Sequence, residues 1–255
     1  MNPTLRTRFA QRFQPLGLTV LLVALGLQAC GGGSGEGVSP PPPALVERNF
    51  DFGQGAATWV AGSADYSPST APNDVIAEPR ALPSPFTGTG YLQSGTNRSD
   101  DLFLFVKTPI TGMVPGTTYR VSATVEFLSD VPTGCAGVGG SPGESVWVVL
   151  AASTSEPVTT LTAGEFRLNI DRGNQSQGGA SGLVLGTVAN SVPNCGPRRW
   201  ESKTLKTPTA PALTVTADTR GAIWVLLGFD SGFEASSRLY YRRLNLTFQP
   251  TWRII

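Results

Sequence analysis

Residues 114–128 read VPGTTYRVSATVEFL, and this stretch decides the fold. After the turn-forming Val114-Pro115-Gly116, apolar Tyr119, Val121, Ala123, Val125 and Phe127 alternate with polar Thr118, Arg120, Ser122, Thr124 and Glu126. Side chains two residues apart share one face of a strand, so 118–128 is predicted to be a half-buried β-strand. Working outward, similar patterns predict strands at 49–52, 91–94, 102–108 and 145–152. Further strands are expected at 166–170, 202–207, 213–217, 222–229 and 239–248. Turn clusters such as Gly139-Gly140-Ser141-Pro142-Gly143 and Gly178-Gly179 fall between them. No long 3.6-residue pattern with helix caps appears. The expected fold is all-β: two antiparallel sheets packed as a β-sandwich of the jelly-roll kind.

The N-terminus carries an address. Arg6, Arg8 and Arg12 form a positive segment with no acid before Glu36, and residues 16–27 read LGLTVLLVALGL. A helix crossing a bilayer needs about twenty apolar residues, so this shorter run is expected to be the core of an export signal. Leu27-Gln28-Ala29-Cys30 resembles the lipobox of bacterial lipoproteins, with Gln28 where a small residue is usual. The resemblance implies cleavage before Cys30, acylation of its thiol and membrane anchoring through the lipid. Gly31 in place of Asp implies, by the same resemblance, the outer membrane rather than the inner. The Gly/Ser-rich and Pro40–Pro43 segments that follow cannot bury enough apolar surface to order themselves. The expected organisation is a signal peptide at 1–29, a lipidated tether at 30–47, one sandwich domain at 48–250 and a short extension at 251–255.

A second resemblance covers most of the mature chain. The strand 117–127 after Val114-Pro115-Gly116 looks like the middle of a carbohydrate-binding jelly roll of the galactose-binding-like type. So do Ile223-Trp224-Val225-Leu226-Leu227-Gly228-Phe229 with the closing strand 239–248, and the opening Asn49-Phe50-Asp51-Phe52 followed by Trp59. This implies a β-sandwich that binds glycans. Segments 99–103, 137–144 and 171–176 are also similar to uncharacterised bacterial secreted proteins, which implies shared architecture and no activity.

Composition narrows the chemistry. Nineteen Lys and Arg face eighteen Asp and Glu, and removing Arg6, Arg8 and Arg12 takes the net charge from +1 to −2. A near-neutral domain lacks the basic stripe that nucleic acids require. The chain has no His, which removes Ser-His-Asp and Cys-His catalysis together with histidine metal sites. With Cys30 lipidated, Cys135 and Cys195 are left in an oxidising compartment and are expected to pair.

The remaining candidates are loop residues and aromatics. Asp230, Glu234, Asp100 and Asp101 are the expected ligands if a structural calcium ion binds, because hard cations take oxygen donors from irregular loops. Trp200, Tyr91, Asn97, Arg98, Asn174 and Gln175 are the expected glycan contacts, since a flat ring stacks on a sugar while polar neighbours bond its hydroxyls. Trp147 and Trp224, set in apolar strands, are expected in the core, and Tyr240 and Tyr241 on opposite faces of a strand. The leading expectation is a non-catalytic, glycan-binding envelope lipoprotein. The alternatives are a structural or protein-binding envelope lipoprotein and a carboxylate-dependent glycan hydrolase or lyase drawing on two of Asp100, Asp101, Glu144, Asp171, Asp230 and Glu234, which spacing alone cannot pair, with Glu144 and Asp230 the first to test.

Overall fold

The structure, a computed structural model, describes residues 43–251. The signal sequence, Cys30, most of the tether and residues 252–255 lie outside the described residues. The strands are β1 (Val46–Asp51), β2 (Val60–Ala64), β3 (Asn73–Ala81), β4 (Thr89–Thr96), β5 (Leu102–Ile110), β6 (Thr118–Ser129), β7 (Val146–Ser153) and β8 (Thr159–Thr162). The chain continues through β9 (Glu165–Leu168), β10 (Gly173–Asn174), β11 (Gln177–Gly178), β12 (Gly182–Thr187), β13 (Glu201–Lys206), β14 (Leu213–Thr216), β15 (Ile223–Ser231) and β16 (Ser236–Pro250).

Two antiparallel sheets form the expected sandwich. The first has the order β13-β6-β16-β4-β3, with β14 following β13 along β6 and β1 following β4 along β16. The second has the order β12-β7-β15-β5-β2. Alternation in β6 sends Tyr119, Val121, Ala123, Val125 and Phe127 inward, where they meet Leu244, Leu246 and Phe248 of β16 and the inner face of the second sheet. Burying each large apolar side chain contributes about 1.5–3 kcal/mol, so this shared interior dominates the fold.

The outer face of the second sheet carries a smaller apolar layer of Phe103, Phe105, Val149, Ala151 and Leu226. Leu168 and Ile170, from the excursion between β7 and β12, cover it. Gly62 on the neighbouring strand is required here, because a Cβ would stand 2.4 Å from the Phe105 ring.

Register fixes which loops meet. Ser236 pairs with Thr96, Ser231 with both Leu102 and Val146, Glu201 with Ser129, and Ala64 with Phe103. The links 97–101, 130–145 and 232–235 and the approach to β13 therefore gather at one pole of the sandwich. β1 starts at the other pole, where Val46 pairs with Phe248.

Ten expected strands are present, with shifted ends. β1 begins at Val46, so the last two residues assigned to the tether belong to the sandwich. β2, β3, β8, β10, β11 and β12 had no strong alternation. β3 is an exposed edge strand that carries Pro79, β2 is built of small residues, and β12 has a register shift between Val184 and Gly186. Thr251 continues beside β6, its N–H donating to the Thr118 carbonyl at 2.9 Å.

Cys135 and Cys195 form a disulfide across a sequence separation of 60. It ties the β6–β7 link to the segment before β13, alongside hydrogen bonds from Thr133 N to Val192 O and from Cys195 N to Thr133 O. Closing a loop of this length restricts the unfolded chain by about 4 kcal/mol in the chain-entropy model. Replacing both cysteines by serine is expected to lower the unfolding free energy by roughly that amount while keeping the β-sheet circular dichroism. Urea titration checks this, and a loss below about 1 kcal/mol would show that the bridge fastens loops already held by other contacts.

Candidate functional site

The pole that gathers the links also gathers most of the residues singled out in the sequence. On the side of the second sheet its centre is Arg172, only 4% exposed. The Arg172 guanidinium lies 4.0 Å from the centroid of the Phe103 ring. Its Nη1 donates to Asp230 Oδ2 at 2.5 Å and its Nη2 donates to Asp65 Oδ2. The backbone N–H of Gln175 also donates to Asp230 Oδ2, at 2.5 Å. Arg167 Nη1 donates to Asp65 Oδ1 at 2.9 Å and stands 3.6 Å from Asp101 Oδ2, which accepts from Asn174 Nδ2 at 3.1 Å.

Asp65, Asp101 and Asp230 thus face Arg172 and Arg167, and Arg167 is paired with the exposed Glu165 besides. The Oδ1 atoms of Asp101 and Asp230 are both buried with no hydrogen-bond partner, and crowding of the carboxyls favours the protonated form of Asp101. Burial is the largest influence, followed by repulsion from Asp230 and then from Asp65. Together they push Asp101 up to about 8, against the pull of Arg172. Removing one partner from a buried ion pair costs about 3–5 kcal/mol, so these groups hold the β7–β12 excursion firmly against the sheet.

Asp100 and Glu234 form a second acid pair, and their mutual hydrogen bond raises the Glu234 carboxyl. Gln175 Nε2 donates to the Asp100 carbonyl at 2.8 Å. The four calcium candidates are therefore divided into two pairs. Among the described residues no group of three or more His, Cys, Asp or Glu side chains could hold a metal ion. The Arg172 guanidinium occupies the position beside Asp230 that a cation ligated by this carboxylate would take.

Two of the expected glycan contacts are structural instead. Tyr91 is buried, and its hydroxyl donates to the Ala77 carbonyl at 2.9 Å. Asn97 is buried, with Nδ2 donating to the Ser231 and Phe233 carbonyls and Oδ1 accepting from Ser99. Arg98, Asn174 and Gln175 remain at the surface of the pole, Arg98 donating to the Ala71 carbonyl at 3.3 Å. Trp147 and Trp224 are half-buried on the outer face of the second sheet rather than in the core. There the Lys107 ammonium sits 5.5 Å from the Trp224 ring. Glu144 closes its own loop: burial opposes its ionisation, but hydrogen bonds from Ser141 and the Gly134 N–H outweigh it and hold the carboxyl below its usual range. Asp230, by contrast, is fully buried.

Trp200 is half-buried on the outer side of the first sheet, and the structure supplies partners that the sequence did not mark. Its ring meets Tyr240 edge to face, with centroids 5.2 Å apart, while Tyr241 points into the core. The Arg238 guanidinium lies 5.1 Å from the Trp200 ring and donates to Asp130 Oδ2 at 2.8 Å. Beside them opens a cleft of about 360 Å³, lined by the disulfide, Pro132, Pro142, Arg198, Phe233 and Ser236 among others. No spacing in the chain connects residues 130, 198 and 238, or 65, 172 and 230, so neither cluster was legible before folding.

No family model matches the chain, and no curated protein matches it. Among solved structures it is similar to the K1 cleaved adhesin domain of Lys-gingipain from Porphyromonas gingivalis. That match has 10% identity over 79% of this chain and 97% of the other, with a TM-score of 0.36. It is similar also to the family 11 carbohydrate-binding module of a cellulosomal cellulase of Clostridium thermocellum, at 11% identity over 82% and 98% of the two chains and a TM-score of 0.35.

The Asp101 proton gives a pH signature with a definite sign. The folded value of about 8 exceeds the ordinary 3.8, so the stabilisation is complete below pH 4 and is lost as pH rises towards and through 8. Stability is expected to fall across this window by up to about 1.4 kcal/mol per pH unit. Asp101→Asn, which keeps a hydrogen-bond donor and adds no charge, is expected to flatten the dependence and to be the more stable protein at pH 8.5. Urea titrations at pH 5, 7 and 8.5 read both effects, and parallel curves for the two proteins would place the proton elsewhere.

Proposed function

We propose that this protein is a lipid-anchored, glycan-binding module of the bacterial cell envelope, outer membrane rather than inner. The observation that carries the binding is the outer-face aromatic pair Trp200–Tyr240, with Arg238 against the indole and a preformed cleft alongside. An indole offers a flat apolar face to the C–H face of a sugar ring, while arginine, serine and backbone groups bond its hydroxyls. A rigid β scaffold with the site on its connecting segments suits recognition without chemistry.

Anchoring rests on Leu27-Gln28-Ala29-Cys30 and the tether that follows. The described chain joins the sandwich at Val46, at the pole opposite Trp200, so the attachment point does not cover the aromatic corner. An acyl chain contributes about 0.8 kcal/mol per buried CH₂, and two or three chains make the attachment lasting.

Two experiments test the two halves. Cys30→Ser is expected to move the protein from the membrane fraction to the soluble fraction and to abolish incorporation of labelled palmitate; unchanged fractionation would remove the lipid anchor. On a broad glycan panel the wild-type protein is expected to bind at least one saccharide class, and Trp200→Ala to weaken that binding about thirtyfold, as loss of a central tryptophan contact of about 2 kcal/mol requires. No binding by the wild type, or equal binding by the variant, contradicts the reading.

A further inference from the structure

We infer that the cleft lined by the disulfide and Arg198 takes a carboxylate-bearing sugar, with Arg198 as its anion-binding group. This rests on the glycan-binding reading and names the class of saccharide. Arg198 is the one charged residue lining the cleft, and it is 52% exposed. Among the described residues it is also the one arginine with neither a hydrogen bond nor an ion pair shorter than 4.0 Å. Its neighbour Arg199 pairs with Glu201, Arg242 and Arg243 with Glu126, Arg80 with Glu78 and Arg220 with Asp218. Arg48, Arg98 and Arg120 donate to backbone carbonyls.

The nearest acid does not neutralise it. Asp130 is 3% exposed and committed to Arg238 at 2.8 Å, whereas the Nε of Arg198 lies 4.0 Å from the same oxygen. Two guanidiniums share one carboxylate, which leaves a surplus positive charge at the mouth of the cleft. A free guanidinium presents a planar fork of donors matched to a carboxylate, and a neutral sugar would leave its charge uncompensated. Around it, Pro132, Pro142, Phe233 and the disulfide form apolar walls with little rotamer freedom, so seating a ring there requires little ordering of the protein.

The test uses the full lipoprotein in detergent and paired probes. These are oligosaccharides of galacturonate, glucuronate and mannuronate, each beside its methyl ester and the corresponding neutral oligosaccharide, titrated calorimetrically. At least one free acid is expected to bind about tenfold tighter than its ester, with the preference shrinking between 50 and 500 mM salt. Arg198→Gln is expected to bring acid and ester to equal affinity; a retained disulfide by mass and an unchanged melting temperature confirm that the variant is folded. Equal binding of acids and neutral sugars by the wild type overturns this inference and leaves the glycan reading standing. An acid preference that survives in the variant overturns the assignment to Arg198. Failure to bind any of the saccharides overturns both.

Discussion

The pairing of β6 with β16 is the constraint on which the rest of the molecule depends. The two strands run together from Tyr240 opposite Leu128 to Pro250 opposite Tyr119, with a register shift between Tyr241 and Arg243. Their inward side chains form one wall of the main core, and their outer edges accept four more strands, β13 and β14 on β6 and β1 and β4 on β16. Because side chains alternate with period two, slipping this register by one residue would exchange Tyr241 for Tyr240 in the core and expose the apolar set. The same register presents Tyr240 and Arg238 on the outer face beside Trp200. Core and candidate site are two faces of one pairing.

Charge is organised at the link-bearing pole on two different physical terms. Around Arg172 the groups are buried and the carboxylates are held by guanidiniums; such a cluster costs desolvation and serves to specify where the β7–β12 excursion lies. Around Arg198 the guanidiniums are open to solvent while their shared acid, Asp130, is buried, so the arginine charge is screened and available. Two clusters at one pole, both built of Asp and Arg, therefore have opposite uses. Burial separates them, because burial sets whether a charge must be satisfied within the protein.

The disulfide belongs to the second cluster as much as to the fold. Cys195 lies three residues before Arg198, and Cys135 lies in the link that follows Asp130. Constraining both segments fixes one wall of the cleft, so the bond that restricts the unfolded chain also shapes the surface beside the aromatic pair. Preorganisation of this kind matters most for a shallow sugar site, where few contacts are made and each ordering cost is felt.

Local patterns determined the class of the protein. The alternation in 114–128 and its echoes established two antiparallel sheets, because period two is a property of neighbouring residues and needs no knowledge of the whole. The pairing of the two later cysteines was legible for a similar reason, since it follows from a count. Weakly patterned strands such as the exposed β3 were not, since an edge strand with little to bury has no periodicity to show. Nor was the fate of individual polar and aromatic residues. Tyr91 and Trp200 look alike as candidates, yet Tyr91 turns inward between β3 and β16 while Trp200 lies half-buried on the outer side where β13 begins. Asp230 reads as a turn acid, but Arg172, 58 residues away, claims it. Only the tertiary structure decided these, because burial and ion pairing depend on which distant segments the sheet registers bring together, and no spacing along the chain encodes that distance.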